Sequence, residues 1–193
     1  MSAVIHDTTC PGCGAPAELS AKYCEYCGRP VIITTFTSIR DWTGPEVTKY
    51  VKSYESSLKD GLDPDVKLAL AICLIKLGQY PRALAQVSEA INYNVDNPEA
   101  YFYSAIARLG GKRPALGNMH ILREALDDLE SAKALEQRGA FYYLSGLIRS
   151  DYFERKRIRQ LPASSEEFDN AAAYGVSQED MRFIHEVAQL PLE

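Results

Sequence analysis

The sequence predicts a mostly α-helical protein, a solenoid of stacked helix pairs behind a small N-terminal β-module. Three observations predict it. Apolar residues recur at helical spacing from Thr43 nearly to the C-terminus. The pattern that starts at Pro64 starts again 34 residues later at Pro98, a period that marks stacked helix pairs. Four of the five cysteines fall within the first 27 residues, as two matched pairs.

The chain of 193 residues is 46% hydrophobic and 24% charged, an ordinary globular balance. No apolar run approaches the roughly 20 residues that cross a bilayer. A net charge of −5 and a pI near 5.3 argue against a dedicated nucleic-acid binder, because gripping phosphates takes clustered Lys and Arg. The stretch Met1 to Asp7 has neither the basic start nor the long apolar run of a secretory signal. The expected address is the cytoplasm.

The cysteine pairs are Cys10-Pro-Gly-Cys13 and Cys24-Glu-Tyr-Cys27, with ten residues between them. Two C-x-x-C pairs predict a tetrahedral zinc site, since thiolates at this spacing reach one ion about 2.3 Å away. Gly14 and Gly28 follow the pairs and let the backbone fold over the metal, so that amide N–H groups point at the sulfurs. The competing readings fit less well. A dithiol redox site needs one C-x-x-C in a βαβ setting, and disulfides suit a secreted chain. A zinc deaminase pairs its P-C-x-x-C with H-x-E, which none of His6, His120 and His185 begins. With Cys10, Cys13, Cys24 and Cys27 as ligands, the coordination sphere is closed and the single Zn²⁺ is structural.

Tyr23 before Cys24, and Arg29-Pro30-Val31 after Gly28, complete the picture. Residues 8 to 33 resemble the zinc-ribbon modules found at the ends of bacterial proteins. Such ribbons serve as nucleic-acid clips, protein adaptors or folded caps. Lys22, Arg29 and Arg40 balance Asp7, Glu18 and Glu25, and four thiolates around one Zn²⁺ add two negative charges. That balance favours protein contact or capping over phosphate binding. Tyr23 and Tyr26 are expected to pack over the cluster.

The β-branched run Val31 to Ile39 predicts extended backbone, a last ribbon strand or a stiff linker. Thr43-Gly-Pro-Glu46 has the spacing of a capping box and opens a helix through Val47, Tyr50, Val51, Tyr54 and Leu58, ended by Gly61. The expected division is therefore residues 1–40 for the ribbon and its linker, and residues 41–193 for the helical repeats.

From Pro64, the residues Leu70, Ala71, Leu74, Gly78, Tyr80, Ala83, Val87 and Ala90 fall in a pattern that resembles a tetratricopeptide repeat. Small Ala71 and Ala83 let two antiparallel helices approach, and Gly78 allows the turn. A second unit has Tyr101, Ala105 and Leu109 on its first helix. The pattern then departs from the family. Gly110-Gly-Lys-Arg-Pro114 interrupts it, and the helix resumes with Leu122, Ala125, Leu126, Leu129 and Ala132. A third unit starts near Gly139, its first helix running on through the basic stretch Arg155 to Arg159. Its second helix, about Ser164 to Tyr174, takes Ser164 or Ser165 with Glu167 as cap residues. A terminal helix follows Ser177-Gln-Glu-Asp180.

No P-loop, G-x-G-x-x-G or G-x-S-x-G occurs, and His185-Glu186 is not H-E-x-x-H. Cys73, among Leu70, Ile72 and Leu74, reads as a buried thiol. The expected function is a non-enzymatic adaptor that contacts a protein or peptide partner. Its concave surface is expected to include Leu68, Ile72, Ile75, Phe102, Ile106 and Leu109, unless the terminal helix around Met181 and Ile184 fills it. These residues are apolar, where family members that clamp a carboxylate place Lys and Asn, so the groove is expected to take an apolar helix or strand. The alternative is a nucleic-acid-associated protein that uses the ribbon with residues 155–159.

Overall fold

The helical spacing becomes eight α-helices in the computed structural model, which describes residues 7–18, 21–59 and 63–191. His6 and Gly61 lie outside the described residues. The chain divides into two compact units, Met1–Ala90 and Ile91–Glu193. The cysteine module and the first helices share the first of these units.

In the first unit, β1 (Asp7–Thr9) pairs antiparallel with β2 (Pro16–Glu18), Thr8 opposite Ala17. Three helices follow: α1 (Gly44–Ser57), α2 (Pro64–Lys76) and α3 (Tyr80–Tyr93), which carries the chain into the second unit. The capping box forms as its spacing predicts, with the Thr43 N–H and hydroxyl both donating to Glu46 Oε2 at 2.9 Å. The Asp63 carboxylate accepts the N–H groups of Asp65 and Val66 and so starts α2. Every residue of α2 from Val66 to Ile75 is buried, as expected of a helix apolar on all sides. Its one cation there, Lys67, reaches Glu89 Oε2 at 2.5 Å. Gly78, at φ +70°, makes the turn into α3, where Ala83, Val87 and Ala90 are buried at the expected positions.

The segment from Val31 to Ile39 differs from expectation. One isolated bridge pairs Tyr23 with Pro30; the chain then leaves the module without forming a strand and closes a 3₁₀ turn over Phe36–Ile39. Val31, Ile33, Phe36 and Ile39 are all buried. Burial of these side chains outweighs the extended preference of the β-branched run.

The second unit contains α4 (Pro98–Leu109), a 3₁₀ turn at Pro114–Leu116, α5 (Met119–Leu135), α6 (Gly139–Ile148), α7 (Ser164–Ala173) and α8 (Gln178–Ala188). Leu122, Ala125, Leu126, Leu129 and Ala132 are the buried stripe of α5, as their spacing predicts. Gly139 opens α6 because nothing larger fits: a Cβ there would lie 2.3 Å from the Val176 nitrogen.

Two expectations are corrected here. The first helix of the third unit does not run on to Arg159. After Ile148 the backbone widens into a π-turn, Arg149–Glu154, and Arg157 at φ +58° ends it. The wide turn tucks the Asp151 carboxylate inward, against the Arg113 guanidinium and the Ala115 N–H. The basic residues that follow are left on an exposed turn. Nor does Glu167 cap α7. Glu154 Oε1 accepts the Ser164 N–H at 2.9 Å instead. Glu167 is buried among Lys133 Nζ at 2.8 Å, the Ser145 hydroxyl at 2.9 Å and Arg149 Nε at 3.3 Å. The α8 start is as expected, with the Asp180 N–H donating to Ser177 Oγ.

Candidate metal centre

The β1–β2 hairpin delivers the first cysteine pair, and a second turn repeats its geometry. The Cys10 N–H donates to the Ala15 carbonyl and the Gly14 N–H to the Cys10 carbonyl, both at 2.8 Å. Likewise the Cys24 N–H donates to the Arg29 carbonyl at 2.8 Å and the Gly28 N–H to the Cys24 carbonyl at 2.9 Å. Both closures need a left-handed residue, and Gly14 and Gly28 supply it at φ +77° and +69°. In each knuckle the first cysteine is buried and the second exposed.

The four sulfurs converge, all within 4.8 Å of one another. The Sγ atoms of Cys10 and Cys27 are 3.6 Å apart, and those of Cys13 and Cys24 3.7 Å. These distances are far too long for a disulfide. They match the edge of about 3.8 Å that four thiolates form around one tetrahedral ion at about 2.3 Å. The four cysteines therefore lie close enough to hold a metal ion.

Local electrostatics are asymmetric. Burial pushes the Cys10 thiol up to about 12, against the pull of the Cys13 and Gly12 N–H groups. The Cys27 N–H, aided by that of Tyr26, brings Cys24 down to about 7. The amides do point at the sulfurs, as the glycine positions predict. A buried thiol such as Cys10 becomes a ligand when a cation offsets the cost of its charge.

Tyr23 and Tyr26 do not pack over the cluster. They are 65% and 74% exposed, because Cys10, Cys24 and Val31 with Ala17 and Ala21 already fill the interior of the module. The module also rests on α1. The Tyr50 hydroxyl donates to the Pro30 carbonyl at 3.0 Å, and Arg29 Nη2 meets Glu46 Oε1 at 2.6 Å. A Cβ on Gly12 would lie 3.0 Å from that same Tyr50 hydroxyl, so the first knuckle seats closely against the helix.

The six residues expected to line an apolar groove, Leu68, Ile72, Ile75, Phe102, Ile106 and Leu109, are all buried. On α4, the Phe102 ring lies 5.2 Å from Phe141 of α6 and 6.3 Å from Phe183 of α8. Phe183 of the terminal helix thus lies beside Phe102. Cys73 is buried, as expected. His120 is exposed, and His185 is buried with its Nε2 2.8 Å from the Tyr143 hydroxyl. Sequence reasoning missed the Lys133–Glu167–Arg149 cluster, whose members lie on separate helices.

Residues 56–109 match the tetratricopeptide repeat family. The match runs from the end of α1 through α2 and α3 to the last residue of α4, and so contains both proline-started helices. Tetratricopeptide repeats generally mediate protein–protein contacts and are typically non-catalytic. No curated protein matches the chain. No helix among the described residues is long and apolar enough to cross a membrane.

Proposed function

We propose that the protein is a non-enzymatic adaptor of the cytoplasm, in which one structural zinc ion folds the N-terminal ribbon and tetratricopeptide repeats contact a protein partner. The observation that carries this reading is the convergence of four thiol sulfurs, all within 4.8 Å of one another, in a chain with a tetratricopeptide-repeat match. An all-cysteine set favours Zn²⁺, and a reducing compartment keeps such thiols free. The exposed Tyr23 and Tyr26 give the ribbon a contact face of its own. A partner that docks on the groove residues of α4 has to displace the Phe183 ring from Phe102.

Elemental analysis of the purified chain tests the metal: one zinc per chain is expected, and iron or no metal would overturn the assignment. Partner capture from the native host, with and without residues 1–40, tests the adaptor reading. A partner that requires the ribbon supports it, and the absence of any partner opposes it.

The exposed tyrosines also favour a second reading, nucleic-acid association through the ribbon, since stacking on aromatics is sequence-tolerant. Binding to mixed oligonucleotides that weakens steeply with salt would support it. No binding at low salt would remove it.

A further inference from the structure

A cavity of about 650 Å³ opens in the second unit, between α6, α7, α8 and the insertion that follows α4. Its charge runs against that of the chain. Three arginines line it from three places: Arg113 in the insertion, Arg155 after the π-turn and Arg182 on α8. Asp151 is the one acid in the lining. It is largely spent on Arg113, whose Nη2 lies 2.6 Å from Oδ1, with Arg155 Nη2 further off at 3.3 Å. Arg182 makes no hydrogen bond or ion pair among the described residues. The lining therefore carries two surplus positive charges in a protein of net charge −5.

The neutral groups are also organised. His185 Nδ1 faces the Leu190 carbonyl at 3.3 Å and Nε2 faces the Tyr143 hydroxyl at 2.8 Å. A carbonyl only accepts, so Nδ1 carries a proton, and in the neutral ring the Tyr143 hydroxyl donates to Nε2. That pair is fixed before any ligand arrives. Ser150 and Gln178 add free-turning donors, and Ser150 sits in the π-turn, a distortion often found at functional sites. Leu147, Phe168 and Met181 form an apolar wall. Gly146 makes room for that wall: a Cβ there would lie 2.8 Å from the Phe168 ring.

We infer that this cavity binds a small organic anion, a carboxylate or phosphate monoester with an apolar body. Arg182 and Arg155 meet the charged head and the apolar wall takes the body. The volume suits a drug-sized molecule, and guanidinium groups match both head groups with paired donors. The site is separate from the metal centre and independent of the adaptor reading.

The test uses the full-length, metal-loaded protein. Ligand-observed NMR is run with shape-matched probes: 4-phenylbutyrate, phenyl phosphate, neutral 4-phenylbutyramide, and a peptide with a free C-terminal carboxylate. Expected is binding of at least one of the two small anions and not of the amide. Which anion binds more tightly separates a carboxylate from a phosphate preference. Arg182→Ala removes a side chain without a partner among the described residues, so its melting temperature is expected to hold while anion affinity falls about ten-fold. Arg155→Gln should weaken the same probes. Equal binding of anion and amide, no binding of either anion, or binding confined to the peptide would overturn the proposal. So would anion binding that Arg182→Ala leaves unchanged.

Discussion

The hydroxyl of Tyr54 accepts the backbone N–H of Ile33 at 3.1 Å, and it donates in turn to the Val31 carbonyl at 2.9 Å. One side chain of α1 thus satisfies two buried backbone groups of the segment that leaves the metal module. Tyr54→Phe keeps the ring and strands both groups. The expected loss is about 1–3 kcal/mol, read by denaturant titration, with metal content unchanged. A variant as stable as the parent would show that the segment re-pairs elsewhere.

Removal of the metal should reach beyond the module. The Tyr50 and Tyr54 hydroxyls and the Arg29–Glu46 pair tie the ribbon to α1, and such modules take on the order of 10 kcal/mol of folding free energy from their metal. With a strong chelator, or in Cys24→Ser, hydrogen exchange should accelerate in residues 10–33 and in α1. The α6 amides should keep their protection. Unchanged exchange in α1 would favour an independent module that ends near residue 40.

Lys133 and Glu167 form a buried ion pair at 2.8 Å, with Arg149 and Ser145 against the same carboxylate. Lys133→Met removes the closest cation and should cost about 3 kcal/mol, the lower end for breaking a buried pair, since Arg149 remains. Lys133→Met combined with Glu167→Gln should recover part of that loss, because Arg149 loses the carboxylate but keeps Glu130 at 3.1 Å. Additive losses in the double variant would exclude a coupled pair.

Acid sensitivity should pass through Asp151. Burial alone would raise its carboxyl, but hydrogen bonds from Arg113 and the Ala115 N–H, with the charges of Arg113 and Arg155, hold it below the ordinary aspartate value of 3.8. A lowered acid contributes stability that is fully present above the unfolded value and is lost as pH falls through the folded one. Wild-type stability should therefore drop below about pH 4 more steeply than that of Asp151→Asn, which starts lower at pH 7. Parallel denaturation midpoints from pH 7 to pH 2.5 would refute this, and the comparison cancels any acid release of metal common to both proteins.

What the sequence makes legible here is what is decided locally. Cys10, Cys13, Cys24 and Cys27 carry their geometry in their spacing and in Gly14 and Gly28. Thr43 with Glu46, and Ser177 with Asp180, announce helix starts within four residues. The misreadings all turn on partners distant in the chain. Glu167 has the offset of a cap residue, yet Lys133 and Ser145, on other helices, draw it inward. The helix expected to reach Arg159 stops because Asp151 answers to Arg113. Val31 and Ile33 carry strand propensity, but buried contacts and the Tyr54 hydroxyl fix them otherwise. For Phe102 the sequence leaves open whether a partner or the terminal helix lies against it, and the Phe183 ring is 6.3 Å away.

Each knuckle keeps its first sulfur inside and turns its second outward, with Cys10 and Cys24 buried and Cys13 and Cys27 exposed. An incoming thiol, chelator or oxidant therefore meets one ligand from each knuckle before it meets either of the others. A bound ion would then be open to attack first at Cys13 and Cys27, with Cys10 and Cys24 shielded behind them.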